Sequence, residues 1–155
     1  MKKQVLILAI LVISPFVSWA QGSVSDEIVL IQSAFGMEKR ALVEDYMGLA
    51  KTSQFWMVYE SYEAERRVLI KQRILTINDY LESFESLTDS DANRIARAII
   101  ANNVSIANLQ KRYHKRFNKV VSPTETAKFM QLDSFIQNTV LLAMAESLPF
   151  IRDKK

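Results

Sequence analysis

No cysteine occurs in the 155 residues, and histidine occurs once, at position 114. The first absence excludes disulfides, thiolate catalysis and cysteine-held zinc or iron–sulfur centres. The second leaves little for imidazole-based metal binding or acid–base chemistry. Glycine and proline are equally scarce, three of each. An all-β chain needs turn residues about every 8–12 positions, so this scarcity excludes one and favours long helices. Ser, Thr and carboxylate residues are plentiful, but no Gly-rich phosphate loop, nucleophile elbow or His–acid pair accompanies them. No catalytic residues, metal ligands or cofactor site follow from the sequence, and the expectation is a non-enzymatic protein.

What is present begins with a targeting pattern. Lys2 and Lys3 precede a run from Val5 to Val17 that is apolar apart from Ser14 and Pro15, and Ser18 and Ala20 stand at −3 and −1 before Gln21. That layout predicts a secretory signal peptide, residues 1–20, cut after Ala20. The competing reading, an uncleaved anchor, suits a run of about 20 uninterrupted apolar residues better than this one. Residues 21–155 form a single helical domain. Nothing after Ala20 resembles a membrane span, and with no cysteine the chain has no site for lipid attachment.

The charges are polarised along the chain. Residues 26–91 carry 13 acidic and 7 basic side chains, whereas residues 92–155 carry 11 basic and 4 acidic ones. Such a division means helices of opposite sign packed together, or a basic surface for an anionic partner.

Caps and breakers divide the domain into four helices, about 25–47, 53–86, 89–120 and 123–148. Ser25 with Asp26 and Glu27 suits a helix start. Ile28, Ile31, Phe35, Leu42, Tyr46 and Leu49 then form one stripe, with Glu38 at the intervening position. Gly36 weakens this helix locally, and Gly48 ends it. Thr52 or Ser53 caps the second helix, striped by Phe55, Tyr59, Tyr62, Arg66, Leu69, Ile70, Ile74, Ile77, Leu81 and Phe84. Thr88 with Asp91 resembles a capping box and opens the third, with Ile95, Ile99, Ile106, Leu109, Tyr113, Phe117 and Val120 on one face. Ser122-Pro123-Thr124-Glu125 places a cap, a first-turn proline and an acid in register for the fourth. Its inward residues are Phe129, Leu132, Ile136, Val140, Ala143 and Met144; Leu148, Phe150 and Ile151 are expected to fold back on the bundle, and Arg152 to Lys155 to fray. Two helices of about 30 residues joined by a short turn make an antiparallel hairpin roughly 45 Å long. The fold class is therefore all-α, an elongated four-helix bundle.

Gln54-Phe55-Trp56-Met57-Val58-Tyr59, followed by Tyr62-Glu63-Ala64-Glu65-Arg66-Arg67, carries a resemblance. It continues through Leu109 to Lys115, Ala127 to Asp133 and Leu148-Pro149-Phe150-Ile151. These segments resemble a family of secreted all-helical bacterial proteins with a Phe-Trp-x-x-Tyr-x-x-Tyr-Glu segment. More distantly the chain resembles the Spy/CpxP group of periplasmic chaperones and stress sensors. Where that group repeats Leu-Thr-x-x-Gln, this chain has Leu49-Ala50-Lys51-Thr52-Ser53-Gln54. The resemblance implies a periplasmic helical binding protein, chaperone-like and acting on unfolded clients. The alternative is an envelope-stress sensor or regulatory protein acting on a membrane partner.

Two clusters are candidate sites. Phe55, Trp56, Tyr59, Tyr62 and Phe129 have the spacing of a core face, with an aromatic binding groove as the sharper alternative. Arg94, Arg97, Lys111, Arg112, Lys115, Arg116 and Lys119 lie on one helix and gather on a face beside its apolar stripe. They are either a solvated face paired with Glu60, Glu63, Glu65, Glu82 and Glu85, or a surface for acidic clients or an anionic membrane. Nucleic acid is not an expected partner of an exported chain. Arg66, on an apolar stripe, needs an acidic partner, Asp133 or Glu38. His114 is expected at the surface or its boundary. An apolar strip too long for four helices to cover predicts a twofold homodimer.

Overall fold

The computed structural model describes residues 37–151 together with Val29, Ile31 and Ala34. The expected signal peptide, the first helix's proposed cap and the terminal Arg152 to Lys155 lie outside the described residues. Among the described residues four helices can be bounded and no strand occurs: α1 Lys39–Met47, α2 Phe55–Ser83, α3 Asp89–Phe117 and α4 Pro123–Glu146. Val29, Ile31 and Ala34 are helical as well. The chain is an all-α bundle built around the antiparallel α2–α3 hairpin.

Two of the expected helix-start caps form; on α2 the cap position falls to Gln54, which makes no side-chain cap bond, and Ser53 Oγ instead accepts from the Phe55 amide at 3.3 Å. Thr88 Oγ1 accepts from the Asp91 amide at 3.1 Å and opens α3. Ser122 Oγ accepts from the Glu125 amide at 3.1 Å, and Pro123 occupies the first turn of α4. Each cap satisfies one of the four amides that a helix start leaves without a partner. Gly48 closes α1 in the left-handed region, φ 63°, and its amide reaches the Glu44 carbonyl at 3.1 Å. A residue with a Cβ resists that backbone, which is why glycine stands there. Between α2 and α3 the chain turns through a short 3-10 segment, Phe84–Ser86.

The first helix departs from the continuous 25–47 element. Met37 is a bend and Glu38 is extended, ψ 149°, so α1 begins afresh at Lys39. The break follows Gly36 and resets the helical phase. Instead of Glu38, Leu42, Tyr46 and Leu49, the buried stripe is Lys39, Val43 and Met47, while Glu38 and Tyr46 are exposed.

Side-chain pairs fix the register of the hairpin. Arg112 meets Glu65, Asn102 meets the Leu69 carbonyl and Arg94 meets Asp79, so one number falls as the other rises. Asn102 interrupts the apolar stripe of α3 and is buried; its Nδ2 donates to the Leu69 carbonyl at 2.8 Å, while its Oδ1 is buried without a hydrogen-bond partner. A polar group held in this way selects one register at a cost in stability.

α4 returns along the hairpin from the α3 C-terminus. Phe129, Leu132, Ile136 and Val140 close a core made with α1, the first turns of α2 and the last turns of α3. Met144 reaches a smaller cluster of Ile70, Ile74 and Ile106. At 24 residues α4 spans about 36 Å against roughly 44 Å for each hairpin helix. The tip of the hairpin is consequently a two-helix structure: Ile77, Phe84 and Ile99 are half-buried there and Leu81 is exposed. The segment after α4 folds back only in part: Leu148 is half-buried, whereas Phe150 and Ile151 are not covered. The Tyr80 hydroxyl donates to the Pro149 carbonyl at 2.5 Å, but Phe150 remains 85% exposed and Ile151 63%.

Candidate functional site

The aromatic cluster is core. α2 enters the bundle at its N-terminus, where residues 55, 59 and 62 share one side of the helix. Phe55, Tyr59 and Tyr62 surround Phe129 of α4, with ring centroids 5.3, 5.8 and 5.8 Å from it. Phe117 of α3 lies 4.7 Å from Phe129 and 5.0 Å from Phe55. Most of these contacts are edge-to-face or tilted, the arrangement that ring quadrupoles favour. Trp56 is also buried; its indole nitrogen donates to the Ala50 carbonyl at 3.0 Å, and the Arg40 guanidinium stands 4.2 Å from its ring centre. With the rings turned inward and packed on one another, the site that remains is polar.

Beside the rings lies a buried network of four charges. Lys39 Nζ donates to Asp133 Oδ1 at 2.5 Å and to Glu63 Oε1 at 2.6 Å. Arg66 Nε donates to the same Glu63 carboxylate at 3.2 Å, and the Tyr62 hydroxyl donates to Asp133 Oδ2. All four charged residues are buried, Asp133 completely. Two cations and two carboxylates make the cluster neutral, which is the condition for keeping charge away from water. Burial alone would raise the Asp133 carboxyl; Lys39, Arg66 and the hydrogen bonds from Lys39 and Tyr62 outweigh it and hold the group below the usual carboxylate range. The Tyr62 hydroxyl is pushed upward by burial and by Asp133, so it stays protonated as the donor. The network links α1, α2 and α4 through buried side chains. Chemically it holds helices in place.

Sequence reasoning reached part of this. Arg66 does meet an acid on the inside of the bundle: it donates to Glu63, three residues away on its own helix, the Asp133 charge also acts on it, and Glu38 is exposed. Lys39 and Glu63 were not legible as buried charges. The signal for Lys39 was its place four and eight residues before Val43 and Met47, visible only once the helix phase restarts at Glu38.

The basic residues of α3 divide into two groups. Arg94 pairs with Asp79 and Asp91, and Arg112 with Glu65, as a solvated face packed beside α2 would have them. Hydrogen bonding from Tyr113 and the adjacent Arg112 keep the Glu65 carboxyl below its ordinary range. Arg116 stacks over the Tyr113 ring at 4.6 Å. Arg97, Lys111, Lys115 and Lys119 are exposed and make no ion pair with the described residues. Of the acids expected opposite them, Glu60 pairs with Arg40 of α1 and Glu63 is taken into the buried network. His114 is exposed beside Asn118.

Among the described residues no group of three or more His, Cys, Asp or Glu comes together to hold a metal, and no helix is long and apolar enough to cross a membrane. Comparison with protein-family models, with curated proteins and with solved structures returned no match.

Proposed function

We propose that this is a non-enzymatic, chaperone-like helical binding protein of the periplasm that holds exposed apolar segments of other polypeptides at the tip of its α2–α3 hairpin. The observation that carries this reading is the uncovered apolar surface there. Tyr80 and Phe84 stack edge to face at 5.5 Å, Leu81 is exposed beside them, and the Tyr80–Pro149 hydrogen bond brings in a tail whose Phe150 and Ile151 face water. Contiguous exposed apolar residues of this kind mark interaction sites. Glu63 and Asp133, the carboxylates that share Lys39, are buried and paired, which suits a structural role for them. Export by residues 1–20 and the distant resemblance to the Spy/CpxP group support the same reading.

The experiment is a client-aggregation assay. A reduced, unfolding client is followed by light scattering with the full chain present and no nucleotide. Suppression near equimolar ratio, weakened several-fold by Phe150→Ser with Ile151→Ser, supports the proposal. No suppression at several-fold molar excess overturns it.

A further inference from the structure

Residues 92–124 contain seven cations and not one Asp or Glu. Three of the seven, Arg97, Lys111 and Lys115, share a ridge with Ile100 and Val104, the steps along it being three, four, seven and four residues. At 100° per residue this ridge runs down the side of α3 opposite Ile95, Ile106, Leu109 and Tyr113, which face the core. All five residues are exposed, Ile100 by 62% and Val104 by 54%, and Lys119 continues the charge just past the helix end. The three cations and Lys119 have no ion pair among the described residues. From Arg97 to Lys115 the ridge is about 27 Å long.

We propose that this ridge docks the protein peripherally on an anionic lipid bilayer, with the cations on lipid phosphates and Ile100 and Val104 entering the headgroup layer. Cations flanking a short apolar step on one helix face are the chemistry by which helices lie in a membrane interface. The shape of the surface favours a bilayer over an acidic peptide. α2 and α4 both pack on the core side of α3, so among the described residues no element stands beside the ridge to form a groove around an extended chain. A broad, flat, anionic partner meets a convex line of separated charges; a narrow strand meets only part of it. Docking is peripheral because no described helix is suited to crossing. The proposal is independent of client binding at the hairpin tip, which uses other residues.

The test is sedimentation of the full chain with vesicles of phosphatidylglycerol mixed with phosphatidylcholine, against vesicles of phosphatidylcholine alone. Each cation held at an anionic leaflet multiplies affinity by about fivefold. Wild type should sediment only with the mixed vesicles and be released as salt is raised from about 0.05 to about 0.5 M, where screening reaches only a few ångströms. Lys111→Glu with Lys115→Glu should lower affinity by at least about 25-fold. Lys71→Glu, an exposed reversal on α2, should change it by much less, and Ile100→Ser with Val104→Ser should weaken it several-fold. Equal sedimentation with both vesicles overturns the proposal, as does an equal loss in Lys71→Glu. So does binding to polyglutamate in the absence of vesicle binding, which would make an acidic protein the partner. The wild-type comparison of the two vesicles stands even if a variant loses helicity by circular dichroism.

Discussion

Lys39→Met is the most informative single change. Methionine keeps an unbranched apolar stem of similar length where Lys39 now passes into the bundle, so packing is largely preserved and the perturbation is the loss of one buried ammonium. That ammonium donates to Asp133 at 2.5 Å and to Glu63 at 2.6 Å and is 8% exposed. Without it two buried carboxylates share the single cation of Arg66. Removing one partner from a buried ionic network costs about 3–5 kcal/mol, because the remaining charge stays desolvated. Urea unfolding measures this directly: at a slope of about 2 kcal/mol per molar, the midpoint should fall by roughly 2 M. The sign of the pH dependence follows from Asp133, whose carboxyl is held below its ordinary value in the native protein. A depressed carboxyl contributes stability above its unfolded pKa, near 3.9, and that stability is lost as pH falls through the folded value. In Lys39→Met the same carboxyl loses its nearest cation and rises. The difference between wild type and variant should therefore be widest at neutral pH and narrow toward pH 4. A variant within about 1 kcal/mol of wild type at neutral pH would refute the view that the network is a tightly coupled structural unit.

Other changes test the remaining elements. Phe129→Ala, at the centre of four ring contacts and fully buried, should cost about 3–5 kcal/mol by denaturant unfolding, whereas Lys115→Ala should leave the melting temperature unchanged. Asn102→Leu removes a buried acceptor without a partner and should raise stability by about 1 kcal/mol, while loosening the hairpin register as seen by crosslinking between α2 and α3. Gly48→Ala should cost about 1–2 kcal/mol in a thermal melt through backbone strain alone, since open space surrounds the position.

Long helices, their number and most of their limits could be read from the chain because the forces that set them are local. Thr88 and Ser122 each bond an amide three residues ahead, and Gly48 bonds a carbonyl four residues back. The match of Phe55, Tyr59 and Tyr62 with Phe129 was legible for a related reason. Apolar stripes at helical spacing have to meet something, and both stretches open helices at the same end of the bundle.

The candidate site was less legible. The acid–base pairing expected along α3 holds at Arg94 and Arg112, where the antiparallel neighbour supplies Asp79 and Glu65. It fails at Arg97, Lys111 and Lys115, because those side chains lie on the outer side of the helix, away from α2. Which cations are paired depends on angular position around α3 relative to its neighbours, and composition does not carry that angle.

By itself the sequence determined an all-α chain with a long hairpin, its capped ends and its aromatic seam, since hydrogen bonds three or four residues apart and helical periodicity suffice for these. Only the tertiary structure decided which charges are buried. Lys39 meets acids 24 and 94 residues away, a meeting set by where the bend at Met37 and Glu38 restarts the helix. It also decided that the hairpin tip stays uncovered, because α4 is shorter than the hairpin helices and the Tyr80–Pro149 bond holds the tail with Phe150 turned to water. Both outcomes rest on contacts between segments distant in the chain, whose geometry exists only after the helices have packed.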